Sequence, residues 1–226
     1  LLSSNKQVCK VERRVGYQYT DFLLLLKPDM LKEKGYRFTV IVLDDILLQE
    51  DFHFDVFMYT MEQSRLSVES PAIENASKIT VQKHPRSGAS ERITTKDEFL
   101  KEFCTIGRLV NIVEIFVTAF TMEAWTCMYE LIDPRYPSGW GIDLWFHDYC
   151  AQKVEDLRMG VLDAMVGVHM QGGAVPRTHN LRGDALWEMM TTQETTWKSE
   201  GKPELIRAEA NVNMGDIRTP LCADDS

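Results

Sequence analysis

The run Phe38-Thr39-Val40-Ile41-Val42-Leu43 is the feature that most constrains the fold. It is continuous, apolar and rich in β-branched residues, a pattern typical of a central strand that is covered on both faces. The run stops abruptly at Asp44-Asp45. Both features together predict a buried strand that presents an acidic pair at its end.

Strand and helix patterns alternate along the rest of the chain. Strands are predicted at 66–68, 79–81, 109–120 and 161–168, and helices at 52–63, 95–103, 123–132, from the Trp140 segment through 150, and at 184–198. This alternation predicts a single α/β domain with a mostly parallel central sheet flanked by helices, and with its ligand at the strand ends.

Composition and charge exclude several classes of protein. A chain of 226 residues that is 44% hydrophobic can bury a substantial core. Its 34 acidic residues outnumber 25 scattered basic ones, so the net charge of -9 disfavours a nucleic-acid partner. The apolar runs fall well short of the ~18 residues that a membrane span requires.

The acidic pair Asp44-Asp45 could bind a divalent cation, because hard cations prefer oxygen ligands and a strand fixes their direction. The alternative is a turn or a helix cap, which Asp also favours. His169, at the end of the last predicted strand, could be a third ligand or an ordinary hydrogen-bonded residue.

The segment Gly139-Trp140-Gly141-Ile142-Asp143 combines two flexible glycines with an indole and a carboxylate. An indole can pack on a sugar ring, and a nearby carboxylate can take a proton from a hydroxyl. The alternative is that Trp140 belongs to the core and Asp143 caps the next helix. Glu114 interrupts an apolar run, so it either faces a cleft or forms a cross-strand salt bridge.

These segments resemble a plant- and alga-rich family of glycosyltransferase-like proteins that has long been catalogued only as a domain of unknown function. The resemblance covers about residues 17–200, and its most specific part is the block from Ala124 to Ala151. It is carried by Lys27-Pro28-Asp29, Val42-Leu43-Asp44-Asp45, Val113-Glu114, Phe120, Ala124-Trp125-Thr126-Cys127, Gly139-Trp140-Gly141-Ile142-Asp143, Tyr149-Cys150-Ala151, Val168-His169-Met170-Gln171-Gly172 and Trp187-Glu188-Met189.

The resemblance implies a GT-A-like fold and a metal-dependent transfer of a hexose or pentose from a nucleotide sugar to a glycan or other hydroxyl acceptor. It places Asp44, Asp45 and His169 at a Mn or Mg site and makes Asp143 the general base. Trp140, Gly141 and Glu114 would then shape the substrate pocket.

The same resemblance pairs Cys127 with Cys150 in a disulfide and places the protein in a Golgi-like secretory lumen. The sequon Asn75-Ala76-Ser77 agrees with that compartment. Residues 1–200 would form the GT-A-like domain, without the first part of its nucleotide-binding half, and 201–226 would be a polar tail.

Two departures from the family pattern support a second hypothesis. The family has two acids separated by one residue, whereas this chain reads Asp44-Asp45-Ile46-Leu47, and the expected first strand-helix units are not recognisable. A catalytically degenerate relative would instead be a structural or interaction subunit of a larger assembly, in this lumen or in another organelle. A third hypothesis is a lectin-like module that binds glycan without metal or nucleotide.

Overall fold

A seven-stranded sheet organises the part of the chain that the computed structural model describes, residues 18–48, 50, 52–74, 105–170, 183–208 and 214–218. The helices are α1 (Tyr19–Leu24), α2 (Pro28–Glu33), α3 (Phe54–Gln63), α4 (Met122–Leu131), α5 (Ile142–Cys150) and α6 (Gly183–Ser199). The strands are β1 (Phe38–Val42), β2 (Ile46–Leu48), β3 (Val68–Glu74), β4 (Thr105–Leu109), β5 (Val117–Thr121), β6 (Met159–His169) and β7 (Gly215–Arg218).

The sheet has the order β1-β5-β3-β6-β4-β7, and β2 pairs with the far end of β6. Among these described strands, β3 and β6 run parallel, and every other pairing is antiparallel. The prediction of a mixed α/β fold is therefore confirmed, but the prediction of a mostly parallel sheet is wrong.

The prediction of a central strand covered on both faces at 38–43 is also wrong. Among the described strands, β1 pairs with β5 alone and lies at an edge of the sheet. Its exposure alternates, because Thr39 and Ile41 are buried whereas Val40 and Val42 are exposed. An unbroken apolar run conceals this alternation, since its exposed and buried positions carry the same class of side chain.

Helices cover both faces of the sheet. On one face, α4 and α5 supply the buried aromatic side chains of Trp125, Trp145 and Phe146. Trp125 Nε1 donates to the Leu26 carbonyl at 2.7 Å, which ties α4 to the segment after α1. On the other face, α3 packs through Phe57 and its neighbours against β4, β6 and β7.

A disulfide joins α4 and α5 on the first face. The Sγ atoms of Cys127 and Cys150, which the resemblance pairs, are bonded, and their Cα atoms lie 5.9 Å apart. Both side chains are almost completely buried. The bond therefore fixes α5, the helix that begins at the Trp140–Asp143 segment, to the helix that follows β5.

The structure corrects two further predictions. Positions 109–120 are not one strand, because β4 ends at Leu109 and an irregular stretch precedes β5. Val110, Ile112 and Val113 in that stretch are buried, so they give strand-like apolar density without strand geometry. The predicted polar tail contributes β7, which pairs with β4 and buries Ile217.

Three predictions concern positions outside the described residues: the strand at 79–81, the helix at 95–103 and the sequon at 75–77. Within the described residues, no helix combines the length and the hydrophobicity needed to cross a bilayer.

Candidate functional site

Asp45 and His169 meet where β1 and β6 end. β2 follows the acidic pair directly and pairs antiparallel with the end of β6, with Ile46 opposite His169. This register places Asp45 Oδ2 3.1 Å from His169 Nε2, and Met170 N–H donates to the Asp45 carbonyl at 2.8 Å. The Phe116 ring lies beside the imidazole, with 5.8 Å between centroids.

The two residues of the acidic pair, Asp44 and Asp45, differ in their surroundings. Asp45 Oδ1 is buried and has no hydrogen-bond partner among the described residues. Asp44, by contrast, is exposed in the turn between β1 and β2. The structure therefore brings Asp45 and His169 together and leaves Asp44 at the surface.

Glu114 lies in the irregular stretch before β5, so the expectation of a carboxylate inside an apolar strand is wrong. Its carbonyl accepts from Phe116 N–H at 2.9 Å and from the Thr118 hydroxyl at 3.1 Å. Its side chain is half-buried. These backbone bonds shape the turn that carries Phe116 towards His169.

The Trp140–Asp143 segment forms a second cluster. Gly141 caps the N-terminus of α5 with φ +95°, a conformation that L side chains rarely adopt. A Cβ at Gly141 would lie 2.5 Å from Met190 Sδ of α6. The glycine therefore allows α6 to pack directly against the turn that presents Asp143.

Asp143 stands in the first turn of α5, and its side chain is partly exposed. The closely packed surroundings of its carboxylate exclude water and raise its pKa to about 6. Backbone N–H groups of Asp143 and Leu144 act in the opposite direction, and the Leu144 N–H donates to Oδ1 at 3.1 Å. Asp143 is thus a partly exposed residue whose desolvated carboxyl has a pKa of about 6.

Two aromatic side chains accompany Asp143. The Trp140 ring meets the Trp187 ring of α6 edge to face at 4.9 Å, and Trp187 is 46% exposed. The Arg207 guanidinium lies 5.3 Å from the Trp187 centroid, and Glu194 binds it through both oxygens. Part of the Trp187 indole is therefore exposed at the surface, next to Trp140.

Sequence reasoning missed two members of this cluster. In the sequence, Trp187 takes part in the family resemblance but has no predicted role in the site, and Tyr19 has no predicted role. No local pattern connects either residue with this segment, because tertiary packing brings Trp187 to Trp140 and Tyr19 to Gly139.

The structure does not join the two clusters. Within the residues that it describes, no hydrogen bond or ion pair links Asp45 or His169 with Trp140 or Asp143. Over the same residues, no group of three or more His, Cys, Asp or Glu side chains is arranged to hold a metal ion. Asp45 and His169 alone offer one carboxylate and one imidazole, of which Asp45 Oδ1 lacks a partner.

Among the clefts that the described residues form, two of about 420 and 510 Å³ lie elsewhere, and Glu123 and Glu155 line both of them. The larger one also contacts Phe38 at the start of β1 and Thr121 at the end of β5. This cleft therefore lies at the opposite end of the strands from Asp45 and His169. None of the residues predicted from sequence to hold a metal or a substrate lines either cleft.

Comparison with known proteins leaves the activity unassigned. None of the curated proteins matches this chain. One family model matches residues 18–214, which include both clusters and nearly all of the described residues. The chain therefore belongs to the family described as "Protein of unknown function (DUF707)".

Proposed function

We propose that this protein transfers a sugar from a nucleotide-sugar donor to a hydroxyl acceptor, with Asp143 as the general base. The observation that carries the proposal is Asp143, a partly exposed residue whose carboxyl has a pKa of about 6. It follows Trp140, whose ring contacts that of Trp187. A general base works best when its pKa lies near the working pH.

In the proposed reaction, the acceptor O–H gives its proton to the Asp143 carboxylate. The acceptor oxygen forms a bond to the anomeric carbon, and the bond from that carbon to the diphosphate breaks with its electron pair leaving on the nucleotide. With a pKa of about 6, roughly nine in ten Asp143 carboxyls are ionised at pH 7 and ready to accept the proton.

The neighbouring aromatic rings support a carbohydrate substrate. Indole rings pack on the apolar faces of sugar rings, and the partly exposed ring of Trp187 lies next to Trp140. Gly141 keeps this surface close to α6, since a side chain there would collide with Met190. Glu114 stays a predicted substrate contact.

A Mn or Mg ion would be held by Asp45 and His169, with donor phosphates completing its coordination, as is usual for ions that keep few protein ligands. The buried Oδ1 of Asp45, which has no partner among the described residues, suits this role. When bound, such an ion offsets the charge on the leaving diphosphate. Three points stay predictions: that Asp44 is also a metal ligand, that the ion is Mn or Mg, and that the protein lies in a Golgi-like compartment.

Asp143→Asn tests the base directly. We expect transfer to fall by roughly 100-fold or more, which is the usual contribution of general-base catalysis, while nucleotide binding stays unchanged. The wild-type kcat/KM should fall as the pH drops below about 6, because protonation removes the base. The matched control is Asp148→Asn on the same helix, whose carboxylate contacts His147 Nδ1 at 2.7 Å. Unchanged turnover in Asp143→Asn would refute the assignment.

A non-catalytic subunit is the second candidate, and the exposure of Asp44 together with the two-residue Asp45–His169 pair favours it. A thermal-shift assay with MnCl₂ and UDP-glucose, UDP-galactose and UDP-xylose separates the two. A donor at 100 times its Kd stabilises the fold by about 2.7 kcal/mol, which corresponds to roughly 5–11 °C. No shift with any donor would favour the subunit.

A further inference from the structure

Tyr19 opens α1 and is held firmly beside the Asp143 segment. The Thr20 N–H and hydroxyl both donate to the Pro137 carbonyl, at 3.2 and 3.3 Å. The Gln18 N–H donates to Asp21 Oδ2 at 2.9 Å, which caps the same helix. These bonds join α1 to the loop that leads into α5.

The Tyr19 ring is in van der Waals contact with this loop. A Cβ added at Gly139 would lie 3.1 Å from Tyr19 Cδ1 and 3.2 Å from Ile142 Cδ1. Gly139 has φ +60°, so both its conformation and its surroundings favour glycine. The absence of a side chain at position 139 allows the phenol ring to lie against the start of α5.

The hydroxyl of Tyr19 is buried and has no hydrogen-bond partner among the described residues. A buried hydroxyl without a partner is costly, and native proteins rarely leave one unless the group has a further task. Burial raises the pKa of Tyr19, and the nearby Asp143 carboxylate raises it further. The phenol is therefore a neutral donor beside a carboxylate acceptor.

The Tyr19 ring lies against Gly139, and its phenol is close enough to the Asp143 carboxylate to interact with it electrostatically. A phenol donor and a carboxylate acceptor in this arrangement suit a ligand with two neighbouring hydroxyls. We propose that Tyr19 binds the acceptor substrate by donating a hydrogen bond to the hydroxyl next to the one that reacts at Asp143. The acceptor class is then a sugar or other polyol with vicinal hydroxyls. This inference rests on the proposed function for the role of Asp143, but the sugar-binding contact can be measured separately.

Tyr19→Phe removes the hydroxyl and keeps the ring against Gly139. The probes are the methyl glycosides of glucose, galactose and xylose, with binding measured by calorimetry and transfer measured with UDP-sugars and MnCl₂. We expect Tyr19→Phe to weaken glycoside binding and to lower kcat/KM roughly tenfold, mainly through KM. Its thermal stability without ligand should stay equal or rise, because the lost hydroxyl has no partner.

Deoxy acceptors make the test specific. With the wild type, an acceptor that lacks the hydroxyl next to the reacting one should have a kcat/KM that is lowered about as much as by Tyr19→Phe. The two changes together should lower kcat/KM little more than either one alone. Tyr149→Phe is the matched control, because its hydroxyl donates to Glu130 at the other end of α5. That variant should discriminate deoxy acceptors as the wild type does.

The outcomes separate the two proposals. Glycoside binding that Tyr19→Phe weakens, without transfer by the wild type, would support the acceptor contact and overturn the proposed function. Glycosides that fail to bind the wild type, that bind both forms equally, or whose deoxy effects add to Tyr19→Phe would overturn the acceptor contact.

Discussion

Glu69→Met replaces a fully buried carboxyl in β3 with an apolar side chain of similar length, and we expect it to stabilise the folded protein. Glu69 has 0% of its surface exposed, and neither carboxylate oxygen has a hydrogen-bond partner among the described residues. Its cross-strand neighbours are Ala119 and Gly160. Met has about the length and volume of the Glu side chain that it replaces, so overpacking should be slight.

The expected gain has a constant part and a pH-dependent part. Removing the unpaired buried carboxyl raises the free energy of unfolding by about 1–3 kcal/mol. This corresponds to an increase in Tm of roughly 2–12 °C for a chain of this size. Burial also raises the pKa of Glu69 well above its ordinary value, so the folded state holds its proton more tightly than the unfolded state. The wild type therefore has its full stability below the unfolded pKa and loses stability as the pH rises towards the folded pKa.

The slope of that loss has an upper limit of about 1.4 kcal/mol per pH unit, because one proton is involved. Asp143 contributes a slope of the same sign below about pH 6, so the informative quantity is the difference between wild type and Glu69→Met. Urea unfolding at half-unit steps from pH 4.5 to 8 measures it. We expect the advantage of the variant to grow with pH and then level off.

A matched control removes a different carboxylate. Glu123→Met changes an exposed residue at the start of α4 and reports the effect of one lost negative charge. A Glu69→Met variant that is less stable than wild type, or whose advantage stays constant with pH, would show that Glu69 is not a neutral buried acid.

Two further predictions concern the scaffold around Asp143. Gly141→Ala should lower the free energy of unfolding by about 1–3 kcal/mol, because φ is +95° and Met190 occupies the Cβ position. The control for backbone strain alone is Gly35→Ala, since Gly35 has φ +76° and a Cβ there would meet no atom within 4 Å. Equal losses in urea unfolding would contradict the role of Met190. Replacing Cys127 and Cys150 with Ser opens a loop with a sequence separation of 23 and should cost about 2–4 kcal/mol; a dithiothreitol titration of the wild type should converge on the same stability, and an unchanged Tm would count against a stabilising bond.

Several elements could be read from the sequence because their signals are local. Helices α3, α4 and α5 and strand β6 lie close to their predicted positions, since periodicity and β-branched density reflect contacts within a few residues. The acidic pair was also found correctly at the end of a strand. Positions 109–120 failed because residues that pack in an irregular stretch have the same composition as a strand.

Strand direction and strand neighbours could not be read in this way. β5 lies between β1 and β3, although more than 40 residues separate it from either of them in the sequence. β7 joins the sheet from a polar segment that has little apolar signal of its own. Strand pairing depends on which strands become neighbours in the folded chain, and no short sequence pattern specifies those neighbours.

The sequence by itself determined the candidate chemistry: an acidic pair after a strand, a histidine at a strand end, and a carboxylate that follows two glycines and an indole. The tertiary structure decided which of these groups act together. It joined Asp45 to His169 through the β2–β6 register and left Asp44 outside. It also placed Tyr19 close enough to Asp143 for the two side chains to interact electrostatically. The packing buried the Asp143 carboxylate and raised its pKa to about 6, because desolvation arises only when distant segments pack around a group.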